Sequence, residues 1–236
     1  MRPTFWLERS RLWTNVSSRA RVAVLASGAG TNLQALIDRS HTTSSRVEIV
    51  RVLSNRPDTG ALNRAEASEI PGNFLPGSSR DEQDAALAES LGECGADLVV
   101  LAGYLRLVPP SIVREYAGRI VNIHPALLPA FGGAGMYGRH VHEAVLRRGV
   151  RVTGATVHFV DAEYDEGPII LQWPVPVLDG DTPERLAARV LAVEQRLLPE
   201  AVEAVAAGQV TLEPDGTCRW RRPGAQLNTF NLSRES

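Results

Sequence analysis

The stretch RVAVLASGAGTNLQALID, residues 21–38, decides how this sequence folds. After Arg21, five apolar residues form a run typical of a strand. A turn with two glycines follows, and LQALID has the apolar spacing of a helix. A strand that passes through a glycine turn into a helix is the first half of a parallel β–α–β unit. The stretch therefore predicts an α/β protein.

The same alternation of strand and helix continues through the next hundred residues. The run ADLVVLAG is apolar throughout rather than alternating, as expected of a strand that is buried on both faces. We predict strands at 46–55, 96–103 and 119–124, and helices at 59–71, 80–95 and 109–118. This order predicts a doubly wound, mostly parallel, Rossmann-like sheet.

The last third of the chain changes character. After a helical pattern at 139–149, two strand-like runs at 150–160 and 168–178 are joined by a short acidic loop, which favours an antiparallel pair. A long helix is predicted at 181–208, with Thr182 as its N-cap and Pro183 in its first turn. A terminal hairpin at 209–220 would turn at Pro214, Asp215 and Gly216. The fold therefore acquires an antiparallel C-terminal portion.

Length and composition limit the number of domains and the classes of binding partner that the chain can have. We expect a single domain over residues 21–220 of the 236, with an N-terminal extension at 1–20 and a flexible tail at 221–236. With Lys+Arg 25 against Asp+Glu 27, no bulk field attracts nucleic acid or a membrane surface, and no apolar run reaches the length of a membrane span. Two cysteines make neither a disulfide framework nor a metal cluster, which favours the cytoplasm. Monomer and homodimer are both compatible with the sequence.

The turn SGAGTN between the first strand and the first helix is a candidate anion site. The backbone N–H groups of Gly30, Thr31 and Asn32 would lie at a helix N-terminus, which favours a phosphate. It is not a Walker loop, since no Gly-Lys-Ser/Thr follows, and the third glycine of a dinucleotide fingerprint is replaced by Leu33. A glycine turn without a ligand is the alternative.

Two polar side chains interrupt the apolar strand at 119–124. Asn122 and His124 are two residues apart, so they project from the same face, and Pro125 ends the hydrogen-bonding ladder directly after them. Both therefore lie at the end of a strand where ligands usually bind. A histidine that is merely hydrogen-bonded in the interior is the alternative.

The loop DAEYDEGP, residues 161–168, carries four carboxylates, and a solvated acidic turn is its simplest interpretation. If the loop folds over His124, one carboxylate can orient the imidazole and raise its pKa. Asn122, His124 and Asp165 together suit acyl transfer, with an amide for the oxyanion, an imidazole for protons and a carboxylate to hold it. Because no serine or cysteine lies in a nucleophile motif, direct transfer between two bound substrates is favoured.

Five segments in order give the sequence a clear resemblance: LASGAGTNLQALID, VLSNRPDTGALNRA, LVVLAGYLRLVPPSIV, GRIVNIHPALLPAF and TGATVHFVDAEYDEGPIILQ. Across residues 21–220 the chain resembles the phosphoribosylglycinamide formyltransferases, folate-dependent enzymes of purine synthesis. The resemblance implies transfer of a formyl group from the co-substrate 10-formyltetrahydrofolate to glycinamide ribonucleotide, without a metal.

The resemblance also implies roles for residues of this sequence. Asn122, His124 and Asp165 would be catalytic. The ribonucleotide would be held by Gly30, Thr31, Asn32 and Glu194. The folate would contact Arg80, Leu105, Arg106, Leu107, Val108, Asn122, Asp161, Ala162, Glu163, Tyr164 and Asp165.

Some positions depart from the common pattern of the family. Ala134 replaces a common lysine, Leu191 a polar residue of some members, and Gln195 the histidine that usually follows the ribose-binding glutamate. The remaining histidines, His140, His142 and His158, lie outside the catalytic motif and are expected to be structural or peripheral.

Two related enzymes and one different class are the alternatives. A methionyl-tRNA formyltransferase is expected to carry a basic C-terminal domain, and a formyltetrahydrofolate hydrolase an added N-terminal domain. A ligand-binding protein without catalysis is the alternative from another class, and the presence of Asn122, His124 and Asp165 argues against it.

Overall fold

The computed structural model describes residues 19–213 and 215–221, so nearly all of the predicted extension, almost the whole predicted tail and Pro214 lie outside the described residues. Within them the alternation of strands and helices follows the sequence prediction closely. The strands are β1 (Ala20–Leu25), β2 (Val47–Ser54), β3 (Gly72–Phe74), β4 (Leu98–Leu101), β5 (Ile120–His124), β6 (Val152–Phe159), β7 (Ile169–Pro176), β8 (Val210–Leu212) and β9 (Cys218–Trp220).

The helices begin where the sequence supplies caps. Thr182 accepts a hydrogen bond from the Arg185 N–H at the start of the long helix, as predicted, and Ser79 does the same for Glu82. The helices are α1 (Thr31–Ser40), α2 (Gly60–Ala67), α3 (Arg80–Cys94), α4 (Pro110–Glu115), α5 (Arg139–Arg148) and α6 (Pro183–Ala206).

Seven strands form one sheet in the order β3-β2-β1-β4-β5-β6-β7. Strands β1 to β5 are parallel to one another, whereas β6 runs antiparallel to β5, and β7 antiparallel to β6. The predicted fold class is confirmed: a doubly wound, mostly parallel sheet with an antiparallel C-terminal portion. The strand order reverses between β1 and β4, the kind of position where such folds bind ligands.

Both faces of the sheet are covered, which explains the continuous apolar runs. Along β1, Val22 and Val24 join a core shared with α1, α2, α5 and α6, whereas Ala23 and Leu25 face a second core shared with α3 and α4. All four side chains are at most 1% exposed. Alternate residues of one strand therefore hold two helical layers in place.

Two details differ from the sequence prediction or extend it. The short strand β3 was not predicted, because all three of its residues are exposed and it carries no apolar alternation. The terminal hairpin forms as β8 and β9, and Trp220 Nε1 donates to the Ile170 carbonyl at 2.8 Å. Among the described residues, none of the helices is long and apolar enough to cross a membrane.

Candidate active site

A cavity of about 540 Å³ lies beside the end of β5. Asn122 and His124 both line it, since residues two apart on a strand share a face. His124 is the last residue of β5 and is only 3% exposed. The predicted pair therefore lies at the end of the strand and at a cavity wall.

The imidazole of His124 is held from both sides. Its Nε2 lies 2.8 Å from the Phe131 carbonyl oxygen, and its Nδ1 lies 3.5 Å from Asp165 Oδ2. Because a carbonyl oxygen only accepts hydrogen bonds, the Nε2 nitrogen carries a proton. Nδ1 is therefore the ring nitrogen that can gain or lose a proton beside Asp165.

Asp165 reaches His124 because the loop between β6 and β7 folds back on the site. Its backbone adopts a left-handed conformation with φ 58°, and the Gly133 N–H donates to Oδ2 at 2.9 Å. Gly132 permits this approach, since a Cβ there would lie 3.2 Å from Asp165 Cβ and 2.6 Å from Leu128 Cδ2. A solvated acidic turn is thus excluded for Asp165, whose side chain is 10% exposed.

The charge states follow from burial and from these contacts. Burial lowers the pKa of His124 by more than Asp165 and the Phe131 carbonyl raise it. Asp165 raises this pKa as the sequence predicts, but desolvation outweighs it and the net shift is downward. Burial also opposes ionisation of Asp165, but contacts with His158, His124 and the Gly133 N–H lower its pKa overall. At neutral pH a neutral imidazole faces an ionised carboxylate.

His158 is central rather than peripheral, which corrects the sequence expectation. It is 2% exposed, lines the cavity, and its Nε2 lies 3.0 Å from Asn122 Nδ2 and 3.6 Å from Asp165 Oδ1. The segment TVHF carries the same signal as NIH: polar residues two apart in an apolar strand. Applying that rule to β6 would have found it.

His142 also lines the cavity, whereas the sequence predicts only a structural or peripheral histidine. It is 4% exposed, and its Nδ1 has no hydrogen-bond partner among the described residues. Burial and, to a smaller extent, His124 lower its pKa. Exposed His140 instead stacks edge-on against Tyr137, with ring centroids 5.2 Å apart.

The glycine turn has two roles that the sequence did not separate. Gly30 is the N-cap of α1 with φ 73°, and a Cβ there would lie 2.7 Å from Ala61 Cα. Its missing side chain therefore serves the packing of α1 against α2. Among the residues that the structure describes, no side chain caps α1, and no acidic residue lies in its first turn, so the turn keeps the character of an anion site.

Replacing Gly30 with alanine should lower the free energy of unfolding by about 2 kcal/mol or more, because strain and a backbone clash add. Gly28→Ala is the matched control, since a Cβ at Gly28 meets no atom of the described residues within 4 Å. Urea unfolding of both variants checks this. Equal stability of the two would contradict the packing role of Gly30.

Glu194 and Asn32 form the other end of the cavity lining. Asn32 Nδ2 donates to Glu194 Oε2 at 2.9 Å, which joins α1 to α6. Burial raises the pKa of the Glu194 carboxyl, and the bond from Asn32 opposes that rise. The Oδ1 of Asn32 is buried without a partner among the described residues. A neutral hydroxyl-bearing ligand would supply the missing donors.

The other predicted site residues either line the cavity or lie outside its lining. Thr31 is half-buried at the start of α1, and Arg80 is exposed with its Nε 3.7 Å from Asp84 Oδ2. Predicted residues that line the cavity are Leu105, Arg106, Leu107, Val108, Glu163 and Tyr164. Those outside its lining are Gly30, Thr31, Arg80, Asp161 and Ala162.

Of the three positions that depart from the family pattern, two line the cavity. Ala134 and Leu191 line the cavity, whereas Gln195 does not. In the part of the chain that the structure describes, no group of three or more His, Cys, Asp or Glu side chains is placed to hold a metal ion. The cavity wall itself supplies imidazole, amide and carboxylate groups.

A doubly wound fold whose cavity has proton-transfer groups in its wall and a separate polar end fits the class of α/β group-transfer enzymes. Comparison with known proteins narrows this class. The family model described as formyl transferase matches residues 20–202. The chain belongs to the formyl transferase family.

Two relatives and one solved structure show what the chain is similar to. A chloroplastic phosphoribosylglycinamide formyltransferase of Arabidopsis thaliana is 42% identical over 202 residues, which cover 84% of this chain and 69% of that protein. The trifunctional purine biosynthetic protein adenosine-3 of Bos taurus is 45% identical over 86% of this chain, but this chain spans only 20% of its length. The crystal structure of glycinamide ribonucleotide transformylase 1 from Symbiobacterium toebii superposes with a TM-score of 0.80 at 44% identity, covering 86% of this chain and 94% of that one.

Proposed function

We propose that this protein transfers the formyl group of 10-formyltetrahydrofolate to the amine of glycinamide ribonucleotide. The observation that carries the proposal is the convergence of Asn122, His124 and Asp165 at one cavity wall, with His124 Nδ1 3.5 Å from the carboxylate. Membership of the formyl transferase family supports the same reaction. The products are formylglycinamide ribonucleotide and tetrahydrofolate.

The first step is attack of the neutral amine on the formyl carbon. An α-amino group has a pKa of about 8, so a useful fraction is neutral near pH 7.5. As the new C–N bond forms, the carbonyl electrons move to oxygen, and an N–H of Asn122 stabilises this oxyanion. The attacking nitrogen then loses a proton to Nδ1 of neutral His124.

The second step expels the folate. The imidazolium of His124 is stabilised by ionised Asp165 and gives its proton to N10 of the folate as the bond from the formyl carbon to N10 breaks. The oxyanion re-forms the carbonyl, and His124 returns to its neutral state. A low pKa for His124 suits this cycle, because the resting imidazole accepts a proton first.

The ribonucleotide is assigned to the end of the cavity formed by α1 and α6. Glu194 would accept hydrogen bonds from the ribose hydroxyls, and the turn at Gly30, Thr31 and Asn32 would receive the phosphate. Arg64 supports an anion here, because its Nε donates to the Ala29 carbonyl at 3.0 Å and places a guanidinium beside the turn.

The folate is assigned to the segment after β4 and to the loop after β6. Leu105, Arg106, Leu107 and Val108 would cover the pterin, with Tyr164 and Asp165 opposite and Asp161, Ala162 and Glu163 in the same loop. The Leu105 N–H donates to buried Ser27 Oγ at 3.0 Å, which fixes the start of the first segment. Arg106 Nη2 contacts Asp84 at 3.0 Å, and the exposed Arg80 lies beside the same carboxylate.

The proposed reaction is tested with purified protein, glycinamide ribonucleotide and 10-formyltetrahydrofolate in steady state. Formylated ribonucleotide and tetrahydrofolate should accumulate at equal rates, and both rates should fall to background when the ribonucleotide is omitted. Release of tetrahydrofolate without the ribonucleotide would instead identify a hydrolase. Binding of both ligands without turnover would identify a protein that kept the fold and lost catalysis.

We place the reaction in the cytoplasm, on the cysteine content alone.

Replacing Glu194 with alanine should raise the Kd for glycinamide ribonucleotide about 10- to 100-fold, because hydrogen bonds to a buried carboxyl are lost. The Kd for the folate should change less than about twofold, since the folate contacts lie elsewhere. Titration calorimetry with each ligand measures both. Glu194→Gln keeps an oxygen that can accept from Asn32, so it should lose less ribonucleotide affinity than Glu194→Ala. Glu89 is exposed, and Glu89→Ala is the surface control. Selective loss of folate binding would mean that the two sites are exchanged.

A further inference from the structure

Two residue pairs of the β5–β6 ladder, separated by the Ile123–Val157 pair, carry polar side chains on one face. Asn122 pairs with His158, and His124 pairs with Thr156, in an antiparallel register. Directly opposed residues on such strands bring their side chains into contact. His124, Thr156 and His158 are 3%, 0% and 2% exposed, so this polar group is built into the interior.

The hydrogen bonds of His158 determine which way the amide of Asn122 faces. His158 Nδ1 lies 2.8 Å from the Phe159 carbonyl oxygen, which can only accept, so Nδ1 carries a proton. Asn122 Nδ2 lies 3.0 Å from His158 Nε2, and because an amide nitrogen only donates hydrogen bonds, Nε2 is the acceptor. In the opposite amide orientation, the Asn122 oxygen would face this nitrogen, and two acceptors would be in contact.

We infer that His158 is a positioning residue that holds the Asn122 amide with its nitrogen toward the reacting carbonyl oxygen. One N–H of Asn122 is used on His158, and the second is kept for the oxyanion of the proposed formyl transfer. Without His158, the amide can rotate and present its oxygen, which would repel the developing negative charge. The inference rests on the proposed function and adds a residue to its machinery.

The experiment uses two isosteric variants of His158, each made in the wild-type protein and in Asn122→Ala. His158→Asn keeps an atom for the Phe159 carbonyl but has none at the Nε2 position, whereas His158→Gln reaches that position with an amide oxygen. We expect His158→Asn to lower kcat about tenfold with both KM values within about twofold. His158→Gln should recover most of the kcat that is lost in His158→Asn.

The double variants decide whether His158 acts through Asn122. In the Asn122→Ala background, His158→Asn should cause little further loss, because the group that it orients is gone. A tenfold loss in that background as well, or a His158→Gln variant as poor as His158→Asn, would overturn the inference. If His158→Asn does not fold, His158→Met replaces it, since methionine has the length of glutamine without its oxygen.

Wild-type turnover separates this inference from the function on which it rests. If the wild-type protein does not formylate glycinamide ribonucleotide, the proposed function fails. If the wild type is active and the kcat loss of the double variant equals the product of the losses in His158→Asn and Asn122→Ala, only the positioning role of His158 fails.

Discussion

Replacing His124 with alanine should lower kcat about 10³- to 10⁴-fold, because the variant has no group to move the proton from the amine to the folate nitrogen. The Kd values of both ligands should change less than about threefold, since His124 contributes to a cavity wall rather than to the assigned binding ends. Stopped-flow turnover and equilibrium binding measure the two quantities separately.

A matched control is available on the surface. His41 is exposed at the end of α1, and His41→Ala should keep full activity. A His124→Ala variant that retained more than about a tenth of wild-type kcat would contradict its role in proton transfer.

Replacing Asp165 with asparagine should lower kcat about 10²- to 10³-fold, with ribonucleotide affinity nearly unchanged. The substitution removes the charge that stabilises the His124 imidazolium. Asparagine tolerates the left-handed backbone at this position, where φ is 58°, and its oxygen can still accept from the Gly133 N–H. The loop should therefore keep its conformation while its electrostatic effect is lost.

Glu166 provides the control for the loop, because it is exposed, lies next to Asp165 and does not line the cavity. Glu166→Gln should retain wild-type kcat. Equal losses of kcat and ribonucleotide affinity in Asp165→Asn would contradict the assignment of Asp165 as the partner of His124.

The pH dependence of stability should carry the signature of the same carboxylate. The folded-state pKa of Asp165 is lowered, so the stability that it contributes is fully present above the unfolded pKa and is lost as pH falls through the folded one. Asp165→Asn should therefore flatten the loss of stability at acid pH, measured as urea midpoints between pH 6 and pH 3. A profile identical to wild type would contradict the lowered pKa.

The central strands were predictable because both of their faces are buried. Continuous apolar runs such as that of β4 have few other interpretations, and the turn residues around them fix where each strand ends. β3 lacked this signal, since Gly72–Phe74 is exposed and follows Pro71. Its pairing with β2 depends on the backbone alone, which composition does not reveal.

The candidate site was predictable where its residues share a strand, and less so where the chain folds back. Asn122 and His124 follow from their spacing, but the contact of Asp165 depends on a left-handed residue and on close packing at Gly132. The direction of the His124 pKa could not be predicted, because it depends on how far burial outweighs the carboxylate. His158 was not predicted as a site residue because it lies outside the catalytic motif, and its contact with Asn122 arises only when β6 pairs with β5.

The measurement that most directly tests direct transfer is a single turnover with 10-formyltetrahydrofolate labelled in its formyl carbon and excess protein. All of the label should move to the amine nitrogen of glycinamide ribonucleotide, one formyl for each tetrahydrofolate, with none retained on the protein. Label recovered as formate, or attached to the chain, would contradict direct transfer between two bound substrates.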